Sequence, residues 1–353
     1  MLVGEVIKEV IAYCGNLAFD TGLPIDPATT RDRVTYGEGR LGVECTGIVT
    51  CIWPTVDVIR RARELRANLI ISHEALFWNH GDRRDVLAHN TAFQAKLRLL
   101  DEWGGTVWRC HDYIHAGIPL ADGTCADGIF YGFAEKLGWT GFRVGDTFRC
   151  LDYELPTAMT ARELAQHIVK RLGLGGTRLV GDAAAPVRRM RVPMHVLGVS
   201  EHDTAEINRM DAEGVDALVT MEFIDFTTSE YVRDAAMLGQ GKCAITVGHF
   251  NLEEPGMQYM VRWHGAVASA GAGCRLSSRG LCAHGRHVPV RVARLSGQCQ
   301  PLRRGDPKEG RSPLGRCRHL LRTLPGGRPA LSPCLHPVDS RGNGQRSAHS
   351  QGG

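Results

Sequence analysis

The chain has 353 residues, 43% of them hydrophobic, and a formal net charge of +4, values that fit a globular protein of one or two domains. No segment approaches the ~18–20 apolar residues of a membrane span, and the N-terminus lacks the basic flank and apolar core of a signal peptide, so we expect no membrane association. The twelve cysteines include no C-x-x-C pair, which argues against a zinc ribbon or a thioredoxin-type motif, and unpaired thiols predict a cytoplasmic setting.

The first part of the chain alternates predicted helices and short apolar strands. Thr55 is a plausible N-cap, and the unit from residue 45 to residue 72 is a β-α-β motif, which implies a parallel strand pair with a right-handed crossover. Gly104 and Gly105 end the next helix. In chain order we predict helix 3–13, a polar loop 21–42, strand 45–53, helix 55–67, a strand ending at 72, helix 88–103, strand 106–110 and helix 128–137.

The second part repeats this alternation. Thr160 and Glu163 fit a capping box at the start of a helix, and Pro255 suits the first turn of another. We predict helix 160–172, strands and turns over 177–200, helix 206–213, strand 217–220, helix 228–238, strand 244–247 and a final helix from about Pro255 to Trp263. The predicted fold class is α/β, with two similar three-layer α/β halves (residues 1–138 and 139–264), mixed but largely parallel sheets, and a metal site between the halves.

Residues 265–353 differ sharply in composition from the rest. They carry fifteen Lys or Arg against three acidic residues, a net charge of +12, and contain no Phe, Tyr, Trp, Ile or Met. Such a segment buries little apolar surface, which predicts a disordered tail. Its Arg, Gly, Pro and Ser bias resembles a GC-rich gene translated out of frame. The alternative is a tether to nucleic acid or a membrane surface, but a single Lys and no stacking aromatics weaken a nucleic-acid role.

Three predicted strands stop at a histidine that has acidic residues nearby. In open α/β sheets, ligands gather beyond the carboxyl ends of the strands, so these ends can form one site. Each also has an ordinary interpretation, as a helix cap or a polar loop. Because Pro255 suggests a helix that starts near Glu253, we expect His249 in the preceding turn. The candidate metal ligands are His73, Glu74, Asp112, His115, His249 and Glu253.

Mixed imidazole and carboxylate ligands suit Zn, Fe, Mn or Co. Six of them exceed the needs of one tetrahedral ion and fit two divalent ions roughly 3.5–4 Å apart. Such a pair can activate a bridging water. We therefore expect a metal-dependent hydrolase that acts on a small-molecule or nucleotide-type substrate, with His111 as the catalytic residue that moves protons. The alternative is a non-catalytic regulatory or scaffold protein whose ions organise a partner surface.

The segments 67–77 and 248–253 resemble the NIF-three-like dinuclear metal-centre family, the GTP cyclohydrolase I type 2 homologues. The resemblance covers about residues 1–262; the tail departs from the family. It implies that His73, His249 and Glu253 bind metal, and Glu74 stands where the family usually has a second histidine. The family's middle aspartate ligand falls at His115, its upstream histidine falls at His111, and Asp112 is the alternative carboxylate. The resemblance also implies a ring-shaped homohexamer with its sites facing an internal cavity.

Overall fold

The computed structural model describes residues 1–270, whose strands form a four-stranded sheet, a five-stranded sheet and a two-stranded ribbon. The predicted disordered or out-of-frame tail, residues 265–353, lies outside the described residues except for 265–270, which extend the last helix. No helix in the described part of the chain combines the length and the apolar character that a bilayer crossing requires.

The four-stranded sheet belongs to the first half of the chain. Three of its strands run parallel, the fourth pairs antiparallel at one edge, and every residue of the parallel strands is buried. Burial on both faces explains why these strands are mostly apolar and do not alternate with exposed polar residues. The elements are α1 (Val3–Tyr13), β1 (Val34–Tyr36), β2 (Ile48–Cys51), α2 (Val56–Glu64), β3 (Leu69–Ser72), α3 (Thr91–Trp103), β4 (Thr106–Arg109), α4 (Asp112–His115), β5 (Ile118–Pro119), β6 (Cys125–Ala126) and α5 (Gly128–Leu137). The strand order is β1-β4-β3-β2, and β5 pairs with β6.

The five-stranded sheet belongs to the second half. Its three central strands are parallel and both edge strands are antiparallel. The elements are β7 (Asp152–Thr160), α6 (Ala161–Leu172), β8 (Arg178–Gly181), β9 (Pro186–Arg191), α7 (Ser200–Ala212), β10 (Ala217–Thr220), α8 (Thr228–Met237), β11 (Cys243–Thr246) and α9 (His249–Ala270). The strand order is β7-β9-β10-β11-β8.

Helices cover both faces of each sheet, which confirms the predicted pair of three-layer α/β arrangements. Helices α2 and α3 pack on one face of the first sheet, and α1 and α9 pack on the other. Helices α5 and α6 cover one face of the second sheet, and α7 and α8 cover the other. Because α9 follows the last strand of the second sheet yet packs on the first, it joins the two halves. The boundaries at residues 138 and 264 stay predictions.

Several local predictions are confirmed. Thr55 caps α2 by accepting a hydrogen bond from the Val58 backbone N–H. The capping box of Thr160 and Glu163 is present at the start of α6. β2 and β3 form the predicted parallel pair, and Gly104 ends α3 in the left-handed conformation. The caps can be predicted from sequence because each depends on residues only a few positions apart. The strand pair can be predicted because one helix joins the two strands.

Other local predictions are wrong. The predicted loop 21–42 contains β1, and β7 was not predicted. Helix α7 begins at Ser200, ahead of the predicted Glu206. Helix α9 begins at His249, so Pro255 lies inside it and His249 does not lie in a preceding turn. Proline removes one helical hydrogen bond, and next to it Gly256 lies in close contact with Ile129 and Gly132 of α5.

Candidate metal centre

Every predicted site residue follows the carboxyl end of a parallel strand. His73 and Glu74 come directly after β3, and His249 and Glu253 lie on the first turns of α9 after β11. After β4, His111 is the N-cap of the single-turn helix α4. His115 ends that helix, which brings the two imidazole rings to 5.0 Å between centroids. The two sheets thus direct their carboxyl ends toward one place, as parallel α/β sheets do around ligands.

Three buried atoms come together here, and none has a hydrogen-bond partner among residues 1–270. They are His73 Nε2, His249 Nε2 and Glu253 Oε2. The glutamate oxygen lies 3.6 Å from the first nitrogen and 3.0 Å from the second, but none of the three atoms makes an aligned hydrogen bond. Leaving a buried polar atom unpaired costs about 1–3 kcal/mol. Divalent cations bound at these atoms, with Glu253 between the two imidazoles, would remove that cost, so the residues present fit metal ions.

In three of the histidines a hydrogen-bond acceptor facing Nδ1 fixes the orientation of the ring. His73 Nδ1 lies 3.2 Å from the carbonyl oxygen of Cys110, and His115 Nδ1 lies 2.7 Å from Asp127 Oδ2. His249 Nδ1 lies 2.6 Å from Glu222 Oε1. Histidines that bind metal usually donate their other ring N–H to such an acceptor, which fixes the tautomer. The pattern therefore leaves Nε2 of each ring available to an ion.

His111 belongs to the same cluster. Its ring stacks on the ring of His73 at 4.5 Å between centroids, and its Nδ1 lies 3.0 Å from Asp112 Oδ1. Potential ligand atoms come within 4.8 Å of one another in three groups of described residues: His73, His111 and His115; His73, Glu74 and Glu253; and His195, Glu222 and His249.

Glu74 presents one oxygen to the cluster and gives the other to a buried arginine. Arg109 donates to Glu74 Oε2 at 2.7 Å and also to the backbone carbonyls of His73 and His80. Glu74 Oε1 lies 3.9 Å from His111 Nε2 and 3.8 Å from His249 Nε2. The arginine thereby turns a single carboxylate oxygen toward the imidazoles.

The Asp112 carboxylate is directed away from this place. Asp112 Oδ2 accepts from the Thr30 hydroxyl at 2.7 Å and from the Arg31 backbone N–H at 2.9 Å. Its Oδ1 accepts from the Arg31 guanidinium at 2.6 Å and faces His111 Nδ1. Asp112 belongs to none of the three groups among the described residues. The structure therefore places it behind His111.

The histidines of the cluster differ in their pKa values. Burial lowers the pKa of His73 well below its usual value and that of His111 to about 4. Burial also disfavours the charged form of His249, but the neighbouring Glu222 and Glu253 carboxylates outweigh it and raise the His249 pKa to about 10. The carboxylates that hold a proton there would favour a divalent cation in its place.

Four residues that support the cluster were not among the predicted site residues. Glu222 lies two residues beyond β10, at a strand end without a histidine, so its position after an apolar strand is the sequence signal that points to it. It holds His249 with one oxygen and His195, beyond β9, with the other at 2.8 Å. Arg109 could have been noticed as a charge in an otherwise buried strand. Asp127 is a candidate supporting residue from sequence, but its position just before helix 128–137 favours a helix cap.

Comparisons with known proteins identify the fold to which the chain is similar. No protein-family model and no curated protein matches the sequence. Among solved structures, a hypothetical protein of Staphylococcus aureus is 15% identical with a TM-score of 0.55, covering 76% of this chain and 93% of that protein. A Bacillus cereus protein related to NIF3 is 15% identical with a TM-score of 0.56, covering 77% and 94%. Reduced HcgD from Methanocaldococcus jannaschii is 14% identical with a TM-score of 0.50, covering 75% and 94%. The chain therefore has the NIF3-like fold, and its histidine and glutamate groups are compatible with metal binding.

Proposed function

We propose that this protein is a metal-dependent hydrolase that holds two divalent ions at the junction of its two sheets. The observation that carries the proposal is the meeting of His73 Nε2, His249 Nε2 and Glu253 Oε2, all buried and without hydrogen-bond partners. The NIF3-like fold and the family resemblance of these segments support it. The ions would be Zn, Fe, Mn or Co, which accept mixed imidazole and carboxylate ligands.

The proposed ligands are His73, Glu74, His115, His249 and Glu253. His115 is preferred to Asp112 as the middle ligand because the Asp112 carboxylate is occupied by Thr30 and Arg31. Bound divalent ions polarise a substrate oxygen and lower the pKa of a water, which makes it a nucleophile at neutral pH.

The residues around the ions would position the substrate and move the proton. With Asp112 fixing Nδ1, His111 presents Nε2 on the side of Glu74, where it can accept a proton from an attacking water and return it to a leaving group. Arg109 holds the Glu74 carboxylate in one orientation, and Glu222 does the same for the His249 ring. Both contacts pre-organise the site before substrate arrives.

Metal analysis and an activity screen test this proposal. We expect two ions per chain after reconstitution, and hydrolysis of at least one phosphoester, nucleotide or amide substrate with Mn or Zn. His249→Ala should lose both properties, whereas His89→Ala, which alters an exposed histidine, should keep both. Fewer than one ion per chain after reconstitution would contradict the proposal. Two ions with no turnover of any substrate would favour the scaffold alternative.

We further propose a cytoplasmic homohexamer with the sites facing its interior, supported by the family resemblance. Native mass spectrometry of the full chain tests the assembly. A mass of six chains is expected, and a monomer at micromolar concentration would contradict it.

A further inference from the structure

A pocket of about 520 Å³ opens beside the metal centre. Glu74 and His249 are among its lining residues, so the pocket is continuous with the proposed ion site. This volume suits a small organic molecule, because ligand pockets typically span about 300–1,000 Å³. A molecule bound here would therefore reach the proposed ions at one end.

Two exposed tryptophans line the pocket. Trp53 follows β2 and is 42% exposed, and Trp78 is 58% exposed. The ring of Trp53 packs against Phe250 at 5.2 Å between centroids, which supports it from one side. Trp78 has a φ of +43°. This backbone conformation is strained for a bulky residue, and such strain occurs preferentially at binding sites. Aromatic surface left open in this way suits stacking against a planar ring.

A buried lysine lines the same pocket. Lys96 is 4% exposed and its Nζ donates to the backbone carbonyl of Leu76. The ammonium lies 5.4 Å from the centroid of the Trp78 ring. An ammonium has three donors. Within residues 1–270 its one hydrogen-bond acceptor is the Leu76 carbonyl, and Asp82 acts on it without an ion-pair contact. Burial lowers its pKa to about 8, which leaves it mainly protonated at neutral pH. A buried ammonium with no carboxylate in direct contact and donors left over can bind an anion from outside.

We propose that this pocket binds a planar aromatic compound that carries a phosphate or carboxylate group. The ring stacks on the Trp53 and Trp78 side chains, and the anionic group accepts hydrogen bonds from Lys96. The inference rests on the proposed function in one respect, namely that the bound compound is the substrate of the metal centre. Neither tryptophan nor the lysine is a proposed metal ligand, so binding and metal content can be tested separately.

Isothermal titration calorimetry of the full chain, metal-loaded and chelated, with phenyl phosphate and benzoate tests this proposal. At least one of the two should bind in both forms. Trp78→Ala should weaken that binding by about tenfold, the usual size of one stacking contact, and Lys96→Met should weaken it comparably. Lys8→Met, which removes an exposed lysine from α1, should leave it unchanged. Cyclohexyl phosphate, which has no planar ring, should bind about tenfold more weakly than phenyl phosphate.

Three results would overturn the proposal: no binding of either aromatic anion, equal binding of phenyl and cyclohexyl phosphate, or unchanged affinity in Trp78→Ala. Binding only to the metal-loaded form, unaffected by Lys96→Met, would also overturn it by assigning the anion to the ions. Because Trp78 is exposed, its variant should fold even if the lysine variant does not. Retained metal content in Trp78→Ala separates a failure of this pocket from a failure of the metal centre.

Discussion

The two oxygens of Asp127 perform different tasks. Oδ1 accepts hydrogen bonds from the backbone N–H groups of Ile129 and Phe130 and so caps α5. Oδ2 lies 2.7 Å from His115 Nδ1. Burial disfavours protonation of His115, but the carboxylates of Asp127, Glu253 and Asp112 together outweigh burial and raise the His115 pKa, with Asp127 the largest of the three. The residue thereby connects the start of a helix to the orientation of a proposed ligand.

Asp127→Asn should separate these two tasks. The amide oxygen can still cap α5, but its NH₂ group facing His115 would favour the tautomer with the proton on Nε2, which cannot bind metal. We expect metal affinity about 10–100-fold lower with little change in thermal stability. Competition with a chromophoric chelator measures the affinity. Asp122→Asn, at an exposed turn aspartate, is the control, and equal affinities in both variants would contradict the assigned role.

Lys96 gives a pH dependence of stability. Burial lowers its pKa in the folded state to about 8, against about 10.4 in the unfolded chain. Below pH 8 both states hold the proton and the folded state bears the full cost of the buried charge. Between pH 8 and about 10.4 the unfolded state binds more protons, so stability rises with pH.

Comparison of the wild type with Lys96→Met measures this effect. Urea unfolding should show the free energy of unfolding of the wild type rising relative to that of the variant as pH increases from 8 to 10. The expected rise is on the order of 2–3 kcal/mol. A difference between the two proteins that stays constant over this range would contradict the assignment.

For individual residues, the sequence predicts which side chains come together but not how each side chain is oriented. His73, His111 and His249 follow apolar strands, and the strand-end rule places all three near one another. Asp112 adjoins His111 in sequence, yet one turn of helix directs its carboxylate toward Arg31. The acceptor for His115 comes instead from Asp127, twelve positions on. The orientation of these side chains depends on contacts between separate elements, which a local sequence pattern does not predict.

At the scale of elements, the crossing of α5 and α9 holds the site together. Gly132 and Gly256 let the two backbones approach closely: a Cβ added at Gly132 would lie 2.5 Å from the Cα of Gly256. This contact fixes α9, whose first turns carry His249 and Glu253. Met257 of the same helix packs in the core on the first sheet.

Gly132→Ala should destabilise the protein because its methyl group meets backbone atoms, which cannot move aside as a flexible side chain can. We expect a loss of about 1–3 kcal/mol in the free energy of unfolding, measured by urea denaturation. Gly141→Ala, where an added Cβ meets nothing within 4 Å, should stay within about 0.5 kcal/mol of the wild type. Equal stability of the two variants would show that the crossing is looser than described.

The elements that sequence analysis missed share a physical cause. β7 contains Pro156 and shifts register against β9 between Glu154 and Met159. Proline is tolerated there because β7 is an edge strand, but within a short run it argues against a strand. β1 has only three residues, also at an edge. The buried parallel strands were predictable because burial on both faces demands continuous apolar residues.

At the scale of the whole molecule, the four apolar cores found within residues 1–270, and all proposed ligands, lie before residue 262. We therefore expect a chain that ends at residue 270 to keep the metal content and the thermal midpoint of the full chain. Calorimetry and elemental analysis of both chains measure this. A midpoint lowered by more than a few degrees, or loss of metal, would show that residues 271–353 contribute to the fold or to the site.

Anomalous X-ray diffraction from metal-loaded crystals, collected above and below the absorption edge of the ion supplied, tests the metal centre most directly. We expect two peaks about 3.5–4 Å apart. One should lie within about 2.3 Å of His249 Nε2, and each should contact at least one proposed carboxylate oxygen. Peaks confined to the surface, or density at the junction of the sheets with no anomalous signal, would contradict a dinuclear centre at these residues.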